Sequence, residues 1–545
     1  MLDISSALFK KALRMTQSLR YRNLVNKAKT PGEVQTDILR RILNRNSDSE
    51  FGKAHGFSSI SSIRDYQKAV PVQTYEDLRP FIERQELTGE RCLTRDQPVY
   101  YHRTSGTLGT PKNIPVTKIG LRQMKDDQKI SAFVWSGCDG VLDGKVFAVS
   151  GQAVEGRMPG GTEFGSASGL LYRSQSSLVR SRYVLPPVLS EIEDYDSRYL
   201  AMAVFGFAET QVTSMATANP STFLRLLSFV HSHADVVFNA IATGKSPDIP
   251  VTGLEPHPAR ARQLADKLQA SGRLTYTDIW PNLGGVVTWT GGSCGIALGS
   301  LSPLLPTDTA IIEWGYSASE FRGTINIDAK HNTCLPTLTN TFFEFMERQE
   351  RETGGEDFLG LDELQEGHEY YVFITTIDGL YRYDINDIVR VNGRVFETPA
   401  LEFVQKGKGV TNITGEKLTE AQVIQAVISV LSEHGISPMF FIMLAWEESA
   451  VYRLFIELNG ESSLPGVGME MELEYKLYSS NIEYEAKRKS GRLAPLRIRY
   501  LKNGTGDRFR SSCVEAGQRD AQFKYLHLQY ARDCTFDFDS AALPE

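Results

Sequence analysis

The sequence contains no run of lysine and arginine that would suggest a nucleic-acid surface, and its formal net charge is −7. Its six cysteines lie far apart and form no CxxC pair, which gives no support for a zinc site or a disulfide framework. No apolar run reaches the length of a signal sequence or a membrane-spanning helix. We therefore expect a cytoplasmic protein with neither a nucleic-acid partner nor a membrane partner.

Length and composition indicate a globular protein of more than one domain. The chain has 545 residues, of which 41% are hydrophobic and 23% are charged. A single core rarely grows beyond about 300 residues, so a large domain and a smaller one are expected. Because the net charge is negative, any anionic substrate must be attracted by local groups.

The stretch YHRTSGTLGTPKNIPVT, residues 101–117, has the composition of a phosphate-binding loop. Gly106 and Gly109 allow backbone angles at which successive amides point toward an anion, and Lys112 adds a positive charge. Four hydroxyls add further donors: Thr104, Ser105, Thr107 and Thr110. The GxxxxGK[ST] spacing of the P-loop is not met. On composition alone, a surface turn rich in glycine and threonine remains the alternative.

The order of residues in TSGTLGTPK resembles the phosphate-binding loop of the adenylate-forming superfamily, whose pattern is close to [ST][ST]GTTGxPK. The NIPVT that follows is similar to one branch, the Gretchen Hagen family of acyl-acid amido synthetases. The resemblance implies that ATP is bound and that its phosphates contact Thr104, Ser105, Gly106, Thr107, Gly109 and Lys112.

Two further stretches resemble motifs of the same family. YTDIWPNLGGVVTWTGG, from residue 276, is similar to the family's apolar strand and threonine-glycine turn, which nominates Thr290 and Gly291 for nucleotide binding. YSASE, residues 316–320, resembles the family's YASSE. That likeness implies that Tyr316 and Ser319 lie beside the adenine and that Glu320 helps to hold Mg²⁺. A carboxylate oxygen suits this hard cation, although a surface charge is the alternative for Glu320.

Residues 369–391 are predicted to form two strands joined by a tight hairpin turn at Asp378-Gly379. The tail of this stretch resembles the family's tyrosine-arginine-x-glycine-aspartate, in which the aspartate binds both ribose hydroxyls. Here that aspartate is Asp387, with Asp384 as the second candidate. Asn386 stands where the family has glycine, and asparagine also tolerates a left-handed backbone.

The stretch 399–423 resembles the family's junction between domains, with a hinge expected at 404–417. The resemblance implies that Lys417 reaches the ribose or the α-phosphate, whereas Gln405 and Lys406 replace the usual arginines. Gln522-Phe523-Lys524 resembles a terminal triplet of the family and nominates Lys524 as the lysine of the adenylation step. Lys502 and Arg519 are the alternatives to it.

The resemblance implies an α/β fold of the adenylate-forming type. A large N-terminal domain of sheets with covering helices, residues 1–411, would bind ATP and the acyl substrate, and a mobile α+β domain would span 417–545. Helices are predicted at 5–29, at 118–136 and at 468–489, and Thr30 is predicted to form a capping box before a helix that buries Ile38, Leu39, Ile42 and Leu43.

The implied activity has two steps. A carboxylic acid is first joined to AMP with release of pyrophosphate, and an amine or amino acid then takes the acyl group to form an amide. Lys524, Glu320 and Lys417 are the expected catalytic residues, ATP and Mg²⁺ the expected cofactors, and a monomer the expected state. A ligase that transfers to a thiol such as coenzyme A, a nucleotide-binding homologue without turnover, and a protein-interaction module remain alternatives. The sequence does not identify the acid or the amine.

Overall fold

The computed structural model describes residues 4–104, 112–192, 194–246, 248–249, 253–291, 293–352, 354–407, 409–436, 438–458, 468–515 and 525–544. The chain divides into two compact units, of which the first contains residues 1–104 and 113–404 and the second contains residues 405–545. Both combine helices with sheets, in agreement with the predicted α/β class. The predicted domain limits and the hinge at 404–417 stay a prediction. None of the described helices is both long and apolar enough to cross a membrane.

The first unit opens with helices that cover its sheets. Its helices are α1 (Ile4–Lys27), α2 (Pro31–Asn46), α3 (Glu50–Ala54), α4 (Ile63–Ala69), α5 (Tyr75–Thr88), α6 (Lys118–Trp135), α7 (Ala167–Arg173), α8 (Ser177–Arg180), α9 (Tyr195–Ala208), α10 (Ser221–Ser232), α11 (Ala234–Thr243), α12 (Pro258–Ser271), α13 (Tyr276–Ile279), α14 (Ser293–Leu301) and α15 (Arg348–Glu352). The predicted helices at 5–29 and 118–136 are confirmed as α1 and α6.

Helix α2 shows how the local pattern sets packing. Its predicted apolar face is confirmed, because Ile38, Leu39, Ile42 and Leu43 are buried in the core. The capping box predicted at Thr30 is wrong, since its side chain makes no capping hydrogen bond. With φ at −137° and ψ at 61°, Thr30 lacks the extended backbone from which an N-cap hydroxyl reaches the first-turn amides.

The strands up to residue 406 are β1 (Pro98–Thr104), β2 (Lys112–Thr117), β3 (Lys145–Ala148), β4 (Gly156–Arg157), β5 (Glu163–Gly165), β6 (Val212–Ala216), β7 (Gly285–Thr288), β8 (Ala310–Glu313), β9 (Thr324–Asp328), β10 (Thr333–Pro336), β11 (Thr341–Glu347), β12 (Glu369–Thr376), β13 (Tyr383–Val395) and β14 (Thr398–Lys406). They form sheets in the orders β2-β1-β5-β4, β3-β6-β7-β8 and β11-β12-β13-β14, together with the pair β10-β9.

The sheet β3-β6-β7-β8 is parallel throughout. Val286 and Phe147, on β7 and β3, are fully buried in a core that also contains Leu226 of α10 and Leu264 of α12. Helices on a parallel sheet explain why its strands are almost continuously apolar. In the register of β7 and β8, Thr288 lies opposite Glu313, so the two strands end side by side.

The antiparallel sheet contains the predicted hairpin, and its tight turn at Asp378-Gly379 is confirmed, because the Thr376 amide donates to the Leu380 carbonyl oxygen at 2.8 Å and Gly379 has a φ of +101°. β12 ends at Thr376 and β13 begins at Tyr383, so six residues, 377–382, connect them. Asp378 in this turn is half-buried, and its Oδ1 accepts hydrogen bonds from the Thr117 amide at 2.8 Å and from the Thr117 hydroxyl at 2.6 Å. Burial raises the pKa of the Asp378 carboxyl to about 6. The loop is therefore shaped by packing beyond the hairpin.

A buried ion pair joins β11 to the end of this loop. The guanidinium Nε of Arg382 lies 3.0 Å from Oε2 of Glu344, and the two side chains are only 5% and 2% exposed. Arg382 also donates to the carbonyl oxygens of Gln67 and Val70. Burial raises the pKa of the Glu344 carboxyl, an effect that the Arg382 charge opposes.

The second unit is a mixed sheet covered by helices. Its elements are β15 (Val410–Thr411), β16 (Leu418–Thr419), α16 (Glu420–Glu433), β17 (Pro438–Trp446), β18 (Val451–Leu458), α17 (Met469–Ser480), α18 (Ile482–Lys489), β19 (Arg497–Tyr500), α19 (Thr505–Glu515), β20 (Leu528–Tyr530) and α20 (Phe538–Ala541). The strand order is β19-β18-β17-β20. Val427, Met443, Leu454 and Leu473 lie in its core.

The single helix predicted at 468–489 is wrong, because the chain breaks at Asn481 into α17 and α18. The amide group of Asn481 accounts for the break. Its Oδ1 accepts a hydrogen bond from the Tyr484 amide at 2.9 Å and so caps α18, and its Nδ2 donates to the Glu416 carbonyl at 3.0 Å. The apolar periodicity runs through the break, which is why the sequence pattern did not predict it.

Candidate functional site

The parallel sheet ends in two turns that carry predicted site residues. Thr290 and Gly291 follow β7, and Gly315 and Tyr316 follow β8. Because β7 and β8 are parallel neighbours, both turns lie at the carboxyl edge of the sheet. Ligands of open α/β sheets commonly bind at this edge.

Glu313, the last residue of β8, joins the two turns. Its Oε2 accepts hydrogen bonds from the Thr290 amide at 2.6 Å and from the Thr290 hydroxyl at 2.5 Å. Its Oε1 accepts one from the Gly315 amide at 2.7 Å. Burial raises the pKa of the Glu313 carboxyl, while these donors favour its ionised form. No sequence motif predicted Glu313, although a single acid within the apolar stretch AIIEWGY was an available signal.

Gly291 lies directly against the backbone of β14. A Cβ atom at this position would lie 2.4 Å from the carbonyl oxygen of Phe403, a distance that side chains do not allow. The Phe403 ring in turn stacks on the Tyr316 ring, with 5.6 Å between centroids. The turns after β7 and β8 therefore both pack on one strand, and glycine is required for that approach.

Tyr316 and Asp387, two of the residues predicted to bind the nucleotide, are in contact. The Tyr316 hydroxyl donates a hydrogen bond of 2.6 Å to Oδ2 of Asp387, and both residues are buried. Burial raises the pKa of Tyr316 well above its ordinary value, so the phenol stays protonated and remains the donor. The Tyr316 amide also donates to the Thr324 hydroxyl at 2.8 Å, which fixes the backbone of this turn.

The two candidates for the ribose carboxylate have different surroundings. Asp384 forms an ion pair with Arg351, and its Oδ1 accepts a hydrogen bond from the Asn386 amide at 2.9 Å. Asp387 instead faces Tyr316. Asn386 has a φ of +53°, which confirms that asparagine takes the left-handed conformation here. These contacts favour Asp387 over Asp384.

Ser319 and Glu320 are held beside the strand that precedes the predicted phosphate loop. Nδ1 of His102, on β1, lies 2.8 Å from the Ser319 carbonyl oxygen. Because a carbonyl oxygen only accepts, Nδ1 carries the proton. Burial lowers the pKa of His102, so the ring is neutral at physiological pH. His102 was not predicted from the sequence, because no local motif distinguishes it from a core histidine.

Glu320 is half-buried and is contacted by a tyrosine from the hairpin. The Tyr383 hydroxyl lies 3.4 Å from Oε1 of Glu320. Within the described part of the chain, no group of three or more His, Cys, Asp and Glu side chains could hold a metal ion. Mg²⁺ bound to nucleotide phosphates usually takes only one or two protein carboxylates, so a single partly accessible glutamate fits that role.

The predicted phosphate loop lies largely outside the described residues, since Ser105, Gly106, Thr107 and Gly109 are not among them. The described chain reaches Thr104 at the end of β1 and resumes at Lys112, the first residue of β2. Lys524 and Arg519 also lie outside the described residues.

In the second unit, Glu416 organises the turn that carries Lys417. Its carboxylate accepts hydrogen bonds from the Ile413 amide at 2.6 Å, the Thr414 amide at 2.8 Å and the Tyr452 hydroxyl at 2.5 Å. Glu416 is fully buried, whereas Lys417 is half-buried and has a φ of +47°. The backbone beneath Lys417 is thus fixed by its neighbour.

Gln405, one of the two replacements noted at the junction, has partners within this unit. Nε2 of Gln405 donates to Oδ2 of Asp533 at 3.1 Å, and Nη2 of Arg532 donates to Oε1 of Gln405 at 2.6 Å. Gln405 is therefore part of a polar network of the second unit. Among the alternatives to Lys524, Lys502 is exposed and its Nζ donates to the Ser540 carbonyl at 3.2 Å.

Three consecutive domains of one protein family match the chain in sequence order. They are the GH3 family N-terminal domain over residues 20–307, the GH3 family central domain over 334–406 and the GH3 family C-terminal domain over 421–533. Together they account for most of the sequence.

Curated relatives match over nearly their whole length. A probable indole-3-acetic acid-amido synthetase, GH3.1 of Oryza sativa subsp. japonica, is 25% identical over 546 residues, which cover 90% of this chain and 86% of that protein. The jasmonoyl–L-amino acid synthetase JAR4 of Nicotiana attenuata is 25% identical over 544 residues and covers 91% of each chain.

Solved structures share the fold. The acyl acid amido synthetase AtGH3.15 in complex with 2,4-DB aligns with a TM-score of 0.65 and 21% identity, covering 97% of this chain and 96% of that one. A 2-hydroxyisobutyryl-CoA ligase aligns with a TM-score of 0.54 and 12% identity, covering 92% and 91%.

Proposed function

We propose that ATP, Mg²⁺ and the residues described above carry out the reaction of this chain, which belongs to the GH3 (Gretchen Hagen) family and is a ligase that forms amide bonds through an acyl-adenylate. The observation that carries the proposal is the hydrogen bond between Tyr316 and Asp387, which joins two motifs 71 residues apart in sequence. The site at the carboxyl edge of the parallel sheet would hold the nucleoside of ATP, with Thr290 and Gly291 on one side.

In the first step, a carboxylate oxygen of the acid attacks the α-phosphorus of ATP. The bond from that phosphorus to the bridging oxygen breaks, and pyrophosphate leaves. Asp387 accepts hydrogen bonds from the ribose hydroxyls, and the loop from Thr104 to Lys112 positions the phosphates. Mg²⁺, held by Glu320, would offset the negative charge of the phosphates.

Lys417 and Lys524 are proposed to supply positive charge during this step. Carboxylate and phosphate are both anionic, so their approach requires cations at the reacting centre. In the second step, the nitrogen of an amine or amino acid attacks the acyl carbonyl, loses a proton and displaces AMP. We expect the lysines to matter less there, because the acyl-adenylate carries less charge at the reacting carbon.

The relatives named above are synthetases for indole-3-acetic acid and for jasmonoyl–amino acid conjugates, and AtGH3.15 binds 2,4-DB. We propose that the acid used by this chain is likewise a small organic acid and that the acceptor is an amino acid. A cytoplasmic monomer without a nucleic-acid partner is proposed on the basis of composition and charge.

The proposal is tested by pyrophosphate release from MgATP across aryl, indolyl and aliphatic carboxylic acids. Each acid is assayed without acceptor, with a mixture of amino acids and with coenzyme A, and the products are identified by mass spectrometry. An amide formed only with amino acids is the expected result. A coenzyme A thioester would replace the proposal with the thiol ligase, and absence of ATP binding would remove the catalytic proposal altogether.

A further inference from the structure

Helix α1 presents a row of apolar side chains to solvent. Leu8, Met15 and Leu19 are 60%, 71% and 68% exposed, and Ala12 between them is also exposed. At about 100° per residue these four positions fall within an arc of about 60°, and the row is about 16 Å long. We call Leu8, Ala12, Met15 and Leu19 the outer stripe.

The opposite face of α1 packs against other elements of the same chain. Lys10 forms an ion pair of 2.6 Å with Asp143, the Tyr21 hydroxyl donates to the Ile327 carbonyl oxygen at 3.2 Å, and Leu24 is buried. The outer stripe is therefore not needed to hold α1 in place. A helix that is apolar on both faces normally has a partner on each of them.

The charge of α1 is entirely positive. Its sequence contains lysine or arginine at positions 10, 11, 14, 20, 22 and 27 and no aspartate or glutamate, although the whole chain has a net charge of −7. Lys10 and Arg20 pair with Asp143 and Asp126 near the packed face. Lys11 and Arg22 are exposed and lie beside the outer stripe.

We propose that the outer stripe and the cations beside it bind the surface of an anionic lipid bilayer. An apolar row flanked by Lys11 and Arg22 is the arrangement of helices that lie in the interface, with apolar side chains among the acyl chains and cations at the headgroups. The stripe projects from a single helix and forms no groove, so it offers little shape complementarity to another protein. A fluid lipid surface requires none.

This inference departs from the expectation of no membrane partner. That expectation came from the absence of an apolar run of spanning length, and an interfacial helix requires no such run. The stripe is short, so binding is expected to be weak, reversible and sensitive to salt. The proposal is independent of the catalytic one, since no residue of α1 belongs to the nucleotide site.

The test is co-sedimentation of the full chain with vesicles of phosphatidylcholine, with or without phosphatidylserine. We expect binding that is roughly tenfold tighter when phosphatidylserine is present, and high salt should remove this difference. A variant combining Leu8→Ser, Met15→Ser and Leu19→Ser should lose binding to both kinds of vesicle. A Lys11→Glu, Arg22→Glu variant should lose only the preference for phosphatidylserine.

The matched control combines Leu87→Ser, Met471→Ser and Ile482→Ser, which remove three side chains that are 66%, 77% and 63% exposed outside α1. The control variant should bind vesicles as the unmodified chain does. All variants should keep the melting temperature and the ATP affinity of the unmodified chain. Failure of the unmodified chain to bind either vesicle would overturn the proposal, as would equal binding by the stripe variant. A dimer that becomes a monomer only in the stripe variant would assign the stripe to a second copy instead.

Discussion

The carboxylate of Glu313 accepts hydrogen bonds from both the amide and the hydroxyl of Thr290 through the same oxygen atom. Its other oxygen accepts from the amide of Gly315, one residue before Tyr316. Glu313 is not proposed to touch the nucleotide, but it fixes the turns that carry Thr290 and Tyr316, which are proposed to do so. Its effect on the reaction can be measured without knowing the acid or the amine.

Glu313→Gln should weaken ATP binding. The amide nitrogen of glutamine would face either Thr290 or the Gly315 amide, so at least one buried donor loses its charged acceptor at a cost of about 1.5–3 kcal/mol. The ATP dissociation constant, from a fluorescence or calorimetric titration, should rise by about tenfold or more. Glu366→Gln, the same change at an exposed position, is the control. An unchanged affinity in Glu313→Gln would show that the two turns do not depend on this carboxylate.

Asp387→Ala should also weaken ATP binding, for a different reason. The loss of a charged acceptor for the ribose hydroxyls should cost roughly 1.5–3 kcal/mol, with no change in which acid is used. Tyr316→Phe keeps the ring and removes only its hydrogen bond to Asp387, so its effect should be smaller. Equal ATP affinity in Asp387→Ala and the unmodified chain would show that the ribose carboxylate is misassigned, and Asp384→Ala would be tested next.

Lys524→Ala should separate the two chemical steps. One electrostatic donor at a reacting centre is typically worth about two to three orders of magnitude, so pyrophosphate release should fall by that factor. ATP affinity should change little, and amide formation from a supplied acyl-adenylate should be much less affected. Lys489→Ala, at an exposed lysine with no proposed role, is the control, and Lys502→Ala tests the alternative lysine. If both rates fall together in Lys524→Ala, the residue acts in folding or docking.

Asp378 should make the protein less stable as the pH rises from about 4 to 6. Its pKa in the folded protein is about 6, against an ordinary value of 3.8, because burial disfavours the charged carboxylate. In that range the unfolded chain loses the proton while the folded chain keeps it. The contribution of this group to the free energy of unfolding therefore falls by up to about 3 kcal/mol. Urea unfolding at several pH values should show that Asp378→Asn lacks this loss. Parallel curves for both proteins would contradict the shift.

Much of the fold follows from local patterns, and the exceptions have identifiable causes. The apolar spacing in α2 and the apolar run of β7 predict their elements because each buries one face or both faces against neighbours. The pattern failed at Asn481, whose side chain binds a distant partner. At Asp378-Gly379 the pattern predicted the tight turn but not the distant contact of Asp378. Asn481 binds Glu416, 65 residues away, and Asp378 binds Thr117, 261 residues away.

The candidate site likewise contains residues that local sequence predicted and residues that it did not. Tyr316, Asp387 and Gly291 could be named from motifs, because each belongs to a short string with a recognisable order. Glu313 and His102 belong to no such motif, since their roles come from hydrogen bonds to backbone groups. Of the two, only Glu313 has a sequence signal, as the single acid within AIIEWGY. Residues that support a site through the main chain are in general harder to predict than those that contact a ligand.

The buried ion pair between Glu344 and Arg382 constrains how this sequence can change over evolutionary time. Replacing either residue alone leaves the other charge buried without its counterion, which typically costs about 3–5 kcal/mol, a large share of the stability of a domain. Replacing both with apolar residues of similar volume is often nearly neutral. A lineage can therefore lose the pair only by two coupled substitutions. Among descendants of this sequence, the two positions should be found either both charged or both uncharged.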